Sequence, residues 1–387
     1  MKIARPFFLL LLLTPLWALA DRTPGIEGPP KVEDPRRNVL AAMKEELAES
    51  MAKLRLGEHE APYYVSYQLK KLEGQGIVAR YGAVMESQAR NDARLYVDVR
   101  VGDYAADSSE GVSESPFFLT ENDGPTYFAP TSAPLEDHPA ALRTALWLLT
   151  DQKYKAALSS WLKGKAQAVY SPKESSAGSF TREEPSRFVQ PPLPFSFDVK
   201  RWEETARRLS NLLATYPELI DSEVRLGADK EVRFLVNSEG TELITEATLF
   251  SIHLQAFARA EDGELLDNSR SFYAPTEAGL PSLEVVQAAA KEMVAELLAL
   301  RSAPVLDPYT GPAILAPEAT GVLFHETVGH RLEGERLHDD HEGRTFKGQV
   351  GRRVLPPFLT IVDDPTLAEF EGTPLNGHYL YDDQGVR

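Results

Sequence analysis

The sequence contains no cysteine, and the chain carries far more acidic than basic residues. The lack of cysteine excludes a disulfide framework and a lipid-anchoring cysteine, and it is compatible with an oxidising compartment without requiring one. The formal net charge is −17. Recognition of nucleic acid usually needs a basic face, so we expect no nucleic-acid partner.

Several familiar motifs are also missing. The sequence has no glycine-rich phosphate loop and no Gly-x-Ser-x-Gly turn, which excludes the common nucleotide-binding and serine-hydrolase sites. It has no internal repeat at the periods of solenoid proteins. The sequence predicts no organic cofactor site.

The N-terminal residues show the pattern of an exported protein. Lys2 and Arg5 are basic, an apolar run follows from Phe7 to Leu19, and Ala18 and Ala20 give a small-x-small cleavage pattern. We expect a signal peptide at residues 1–20 and a periplasmic or extracellular protein. The run is shorter than the roughly 20 residues of a membrane span, although a retained N-terminal anchor is the alternative. No other membrane association is expected.

The rest of the chain predicts an α+β fold of antiparallel sheets with segregated helices, in two domains. A flexible lead-in is expected at residues 21–38, an N-terminal α+β domain at 39–195 and a second domain at 196–387. Hydrophobic periodicity predicts helices near residues 38–57, 139–168, 202–216, 281–300 and 318–333. Alternation predicts strands at 77–88, 94–101, 232–236 and 249–258, with turns at Asn91-Asp92 and at 237–240, and Ala313–Ala316 is expected to be a short buried strand.

The chemistry-bearing motif lies on the last predicted helix. His325, Glu326 and His330 supply two imidazoles with a carboxylate beside the first. Imidazole nitrogen suits zinc, and a neighbouring carboxylate can accept the proton of a water that attacks a carbonyl group. The motif therefore indicates a metal-dependent hydrolase.

The spacing of the two histidines is one residue longer than in the familiar zinc helix. Five positions correspond to a rotation of about 140° and a rise of about 7.5 Å on a regular α-helix, so the rings would diverge. A π-bulge absorbs one extra residue in a turn and would let them converge. Gly329, which costs about 1 kcal/mol relative to alanine in a helix interior, is permissive for such a distortion. We predict a π-bulge between His325 and His330.

Four segments of the sequence resemble the TldD/PmbA family of metallopeptidases. They are Gly311–Glu335, Gln349–Gly351, Phe358–Pro365 and Asp382–Val386. The resemblance is specific from about residue 305 to the end and only architectural across residues 39–300. It implies that His325 and His330 bind zinc and that Glu326 is the catalytic acid or base. It also implies hydrolysis of unfolded or short peptides, and a homodimer or a heterodimer with a paralogous chain.

The sequence departs from the family pattern in two ways. Family members generally continue past the Asp382–Val386 segment, so we expect this sequence to be a fragment or a truncated product. The family is associated with a cysteine as third zinc ligand, and this chain has none. His338 and His341, or Asp339 and Asp340, are candidates for that ligand, while the plainer interpretation of this cluster is a solvated loop.

Two other functions remain open from the sequence. The chain could be a non-catalytic partner or structural subunit of a TldD/PmbA-like assembly with an incomplete metal site. Alternatively, it could store or sense metal ions, because five of its eight histidines lie in the final stretch of the sequence.

Overall fold

The computed structural model describes residues 34–109, 130–170, 178–334 and 345–387. Residues Arg36–Arg387 form one compact unit; of the preceding unit, Met1–Pro35, only Asp34 and Pro35 are described. The predicted signal peptide therefore lies outside the described residues, as do His338 and His341.

Five α-helices and nine strands occur within these ranges. The helices are α1 (Arg36–Lys53), α2 (Pro139–Tyr170), α3 (Val199–Leu213), α4 (Leu283–Arg301) and α5 (Pro317–Phe324). The strands are β1 (Pro62–Arg80), β2 (Ala83–Val101), β3 (Thr131–Ser132), β4 (Arg187–Val189), β5 (Leu219–Asn237), β6 (Glu242–Arg259), β7 (Leu265–Ala274), β8 (Glu369–Phe370) and β9 (Thr373–Pro374).

Seven of the strands form one twisted sheet in the order β3-β2-β1-β5-β6-β4, with β7 paired to β6 beyond the region that β4 covers. Neighbouring strands are antiparallel except β4 and β6, which are parallel. Separate helices pack against this mostly antiparallel sheet. The predicted α+β class is confirmed.

The predicted turn at Asn91-Asp92 is wrong. Both residues lie inside β2, where Asn91 pairs with Glu73 and Asp92 with Leu72. The chain reverses instead at Tyr81-Gly82, whose φ angles are 51° and 78°. Two consecutive residues with positive φ are typical of the tight turns that join antiparallel strands. The pairing of two 19-residue strands, β1 and β2, therefore outweighs the local preference of Asn91-Asp92 for a turn.

Four helices pack on one face of the sheet in two pairs. Helices α1 and α2 bury apolar side chains against one half of the long strands, and α3 and α4 against the other half. On each strand, the buried residues of the two halves are an even number of positions apart: Tyr67 and Ile77 on β1, and Leu226 and Phe234 on β5. Since side chains alternate between the faces of a strand, both helix pairs cover the same face.

The sheet continues across the boundary predicted near residue 195. Strand β1, from the predicted first domain, pairs with β5, from the predicted second domain, over Ser66–Ala79 and Val224–Asn237. The boundary therefore does not coincide with a break in the sheet. The division into two domains stays a prediction.

The opposite face of the sheet is covered in part by the last residues of the sequence. Leu235 and Leu243 are 1% and 0% exposed, yet they belong to neither of the two helix-packed clusters. A Cβ built on Gly385 would lie 2.9 Å from Leu235 and 3.2 Å from Leu243. Asp382–Val386, here called the C-terminal turn, therefore docks on this face.

Between α4 and the C-terminal turn runs the metal-helix segment, residues 303–381. None of its described residues is buried. Ala313–Ala316 form no strand, and Ile314 is fully exposed. The predicted short buried strand is wrong, because no sheet or helix packs against these residues to bury them.

None of the described helices combines the length and the apolar character that crossing a bilayer requires.

Candidate metal centre

The predicted metal helix begins as an ordinary α-helix. Pro317 occupies its first turn, where a missing N–H costs nothing, and Glu318 complements the positive end of the helix dipole. The α-helical geometry ends at Phe324, directly before the first histidine. Both predicted ligands therefore lie at the carboxyl end of α5, where the helix changes its hydrogen-bond pattern.

Residues His325–Gly329 form a π-helical turn. The N–H of His330 donates to the carbonyl of His325, five residues earlier, instead of the α-helical partner four residues earlier. The hydroxyl of Thr327 donates to the carbonyl of Leu323 at 2.6 Å, which supplies that carbonyl with a side-chain partner. The predicted π-bulge is confirmed.

The π-turn brings the two imidazole rings together. Their centroids lie 4.5 Å apart at an interplanar angle of 79°. The Nε2 atoms of His325 and His330 each lie 3.9 Å from an oxygen of the Glu326 carboxylate, one from Oε1 and the other from Oε2. One potential ligand atom from each of the three residues falls within 4.8 Å of the others.

This arrangement has the chemistry of a divalent-metal site. Zinc binds imidazole nitrogen at about 2.0–2.1 Å, so two nitrogens on one ion lie within about 4 Å of each other. The three potential ligand atoms, all within 4.8 Å of one another, lie close to that range. Two imidazoles with a carboxylate fit zinc and other metals that favour imidazole nitrogen.

A second carboxylate contacts the site. Glu333 Oε1 lies 2.6 Å from His330 Nδ1, the ring nitrogen on the far side from Glu326. Sequence reasoning missed this residue, although a signal existed. Side chains three positions apart share one face of a helical turn, and Glu333 follows His330 by three.

Other histidines lie away from this cluster. His378 contacts the carbonyl of Leu375 through Nδ1 at 2.9 Å, and His253 Nδ1 lies 2.8 Å from the hydroxyl of Ser271 on the neighbouring strand. The described residues therefore bring together His325, Glu326 and His330. His338 and His341, the candidates for an additional ligand, lie outside them.

The metal-helix segment and the C-terminal turn match a known family. Residues 308–387 match the family described as the PmbA/TldA metallopeptidase C-terminal domain. This segment therefore belongs to the TldD/PmbA family. The match contains all three clustered residues and the C-terminal turn, and it agrees with the resemblance found in the sequence.

Proteins similar to this chain include several that are named as metalloproteases. The chain is 30% identical over 182 residues to metalloprotease slr0863 of Synechocystis, covering 45% of this chain and 36% of that protein. It is 38% identical over 97 residues to a metalloprotease TldD homolog of Haemophilus influenzae, covering 25% of this chain and 19% of that protein. The matched regions thus span about a third or less of these relatives.

Solved structures give a weaker likeness. TldE from Thermococcus kodakarensis superimposes with a TM-score of 0.36 at 10% sequence identity, covering 68% of this chain and 47% of that chain.

Proposed function

We propose that this chain carries the metal-binding and catalytic residues of a zinc-dependent peptidase. One observation carries the proposal: the π-turn places the His325 and His330 rings 4.5 Å apart, with the Glu326 carboxylate beside both. The names of the relatives support a metallopeptidase in general terms. Zinc, the peptide substrate and the assignment of roles belong to the proposal.

The three residues would divide the work by their chemistry. His325 and His330 would hold the ion through imidazole nitrogens. When bound, zinc polarises a carbonyl group and makes water more acidic. Glu326 would accept the proton from the attacking water and return it to the leaving amine, as a general base and then a general acid. Its carboxylate lies within reach of both histidines, so it also lies beside the position the ion would take.

Two protein ligands are fewer than the three that catalytic zinc sites usually have. His338 and His341 are proposed as candidates for the third position, since both follow the motif within a short stretch of chain. Their alanine variants would identify a ligand by loss of zinc affinity.

The substrate and setting are proposed from the resemblance and the N-terminal sequence. Unfolded or short peptides would reach the site, and the protein would act after export to the periplasm or beyond. The site is open to a chain in extended conformation: the side chains of His325 and Glu326 are 65% and 60% exposed. Assembly as a homodimer, or as a heterodimer with a paralogue, is a further proposal that light scattering on the purified protein would test.

The deciding experiment separates metal binding from turnover. Glu326→Gln should bind zinc with an affinity within about twofold of wild type, because both imidazoles remain. Its rate of peptide hydrolysis should fall by about 10²–10⁴-fold, the contribution that general acid–base catalysis typically makes. His325→Ala and His330→Ala should each lose zinc. Glu369→Gln, an exposed carboxylate elsewhere in the same segment, is the matched control and should change neither property.

Either of two results would reject the proposal. Full hydrolysis by Glu326→Gln would remove that residue from the mechanism. Absence of zinc from the wild-type protein, measured by elemental analysis, would favour the second candidate, a non-catalytic subunit. The apolar residues Val305, Ile314 and Phe358 are between 86% and 103% exposed, which suits contact with another chain under either candidate function.

A further inference from the structure

We infer that Glu333 is a positioning residue that fixes the ring orientation and tautomer of His330 for metal binding. This inference rests on the proposed metal-binding function and assigns a role to a residue that is outside the His325, Glu326 and His330 cluster. It is carried by one contact, the 2.6 Å separation between His330 Nδ1 and Glu333 Oε1.

The contact determines which ring nitrogen carries the proton. A carboxylate only accepts hydrogen bonds at neutral pH, so the hydrogen between these atoms belongs to Nδ1. In a neutral imidazole the other nitrogen then has a lone pair. That nitrogen, Nε2, is the one that faces Glu326, at 3.9 Å from its Oε2. Glu333 therefore selects the tautomer whose lone pair points toward the cluster.

Backbone geometry supports the same role. The π-turn ends at Gly329, and His330–Leu332 continue as a single 3₁₀ turn, after which Glu333 leaves helical geometry with φ −57° and ψ 124°. The tighter 3₁₀ turn brings residues three positions apart onto nearly the same side of the axis. The change from π to 3₁₀ geometry thus aims His330 at His325 and Glu333 at the back of the His330 ring.

The carboxylates of Glu326 and Glu333, on either side of the His330 ring, also suit a bound cation. A carboxylate behind a metal-binding imidazole makes the ring a better donor and holds it against rotation, and loss of such a partner typically weakens metal affinity by about 10–100-fold. The His330 side chain is 36% exposed. The hydrogen bond to Glu333 restrains this ring against rotation.

The first test uses the metal-free protein. Two-bond ¹⁵N–¹H correlation spectra of the histidine side chains, recorded at a pH where the rings are neutral, should show His330 in the Nδ1–H form. Glu333→Ala should shift that ring toward a mixture of tautomers, while the His378 spectrum stays unchanged. An Nε2–H form of His330 in the wild-type protein would overturn the inference without reference to any metal.

The second test measures zinc affinity by competition with a chelator. Glu333→Ala should bind zinc about 10–100-fold more weakly than wild type. Glu333→Gln should lose less, because its amide oxygen can still accept from Nδ1–H. Glu369→Ala, which removes an equivalent exposed charge from the same segment, should bind as wild type does. Far-UV circular dichroism on each variant checks that the fold is intact.

The outcomes separate this inference from the proposed function. If wild type binds zinc and Glu333→Ala binds it within twofold, Glu333 has no positioning role and the peptidase proposal stands. If wild type binds no zinc, the peptidase proposal fails as well. Cobalt substitution excludes a direct ligand role: the visible absorption bands should keep their positions in Glu333→Ala, and a changed coordination spectrum would mean that Glu333 itself binds the ion.

Discussion

The guanidinium group of Arg233 donates a hydrogen bond from Nη2 to the main-chain carbonyl of Asp382. This contact joins the central strand β5 to the C-terminal turn, on the face of the sheet that the helices leave uncovered. Burial lowers the pKa of Arg233, and the nearby Asp383 carboxylate acts in the opposite direction. Asp382 in turn closes the turn, since its Oδ1 accepts from the N–H groups of Gln384 at 2.9 Å and Val386 at 2.8 Å.

Removing this guanidinium should loosen the C-terminal turn. Hydrogen bonds to charged groups contribute about 1.5–3 kcal/mol, so Arg233→Ala should increase hydrogen exchange at Gln384 and Val386 by about tenfold or more. Mass-spectrometric exchange on the C-terminal peptide measures this. Arg225→Ala on the same strand, where Arg225 pairs with Glu223, is the control and should leave those amides protected.

Gly385 tests whether the turn needs close contact with the sheet. Its φ is +84°, and a Cβ there would lie 2.8 Å from Thr241 Cγ2 and 2.9 Å from Leu235 Cδ2. Gly385→Ala should therefore suffer both backbone strain and steric overlap, and the turn should detach. Gly372→Ala matches it, because Gly372 has φ +80° with no atom within 4 Å of the added carbon. Equal exchange rates in the C-terminal turn of the two variants would show that the contact is unimportant.

Gly329 should prove dispensable for the π-turn. Its φ of −53° and ψ of −63° are helical, and the nearest atom to an added Cβ is the carbonyl oxygen of Phe324 at 3.8 Å. Alanine is favoured over glycine in helical backbone by about 1 kcal/mol. Gly329→Ala should therefore keep zinc affinity within about twofold of wild type. A loss of more than tenfold, measured by chelator competition, would mean that the π-turn requires glycine.

Tyr67, which is buried between the sheet and helices α1 and α2, gives a prediction about pH. The Tyr67 hydroxyl lies 2.9 Å from both Ser50 Oγ and Thr150 Oγ1, and burial raises the pKa of Tyr67 to about 12. An unfolded tyrosine has a pKa of about 10. The folded state therefore holds its proton more tightly than the unfolded state. This contribution to stability is fully present below about pH 10 and is lost as the pH rises from about 10 toward 12.

Urea unfolding at pH 9 and pH 11 would measure this loss. Tyr67→Phe should be less stable than wild type at pH 9 by about 1 kcal/mol, because it loses a buried hydrogen-bonded hydroxyl. It should also lose less stability than wild type between the two pH values. Tyr309→Phe is the control, as Tyr309 is 75% exposed. An equal alkaline loss in wild type and Tyr67→Phe would assign it to other groups.

Strong local patterns predicted much of this structure. The helix expected at residues 139–168 spans Pro139–Tyr170, and the one expected at 281–300 spans Leu283–Arg301. The π-turn was predicted from the spacing of His325 and His330, because two rings on one ion leave few backbone geometries open. In each case a short-range constraint determines the outcome.

Other features depend on distant contacts and could not be predicted locally. Strand β7 contains the polar run Asp267–Ser271 and was not predicted as a strand, yet every residue of β7 pairs with β6. The role of Glu333 depends on a rotamer of His330, which the sequence does not specify. Docking of the C-terminal turn depends on Leu235 and Leu243, which come together on one face only after strands β5 and β6 have paired.

The π-turn has one further consequence. His325 and His330 are separated by a distance that five consecutive backbone positions determine, and none of the described residues around them is buried. Any movement of the π-turn as a unit would carry both histidines together. Ion binding by the two histidines therefore does not depend on the orientation of the segment. Sequence changes outside the π-turn can turn the two histidines toward a new surface without changing the backbone that joins them.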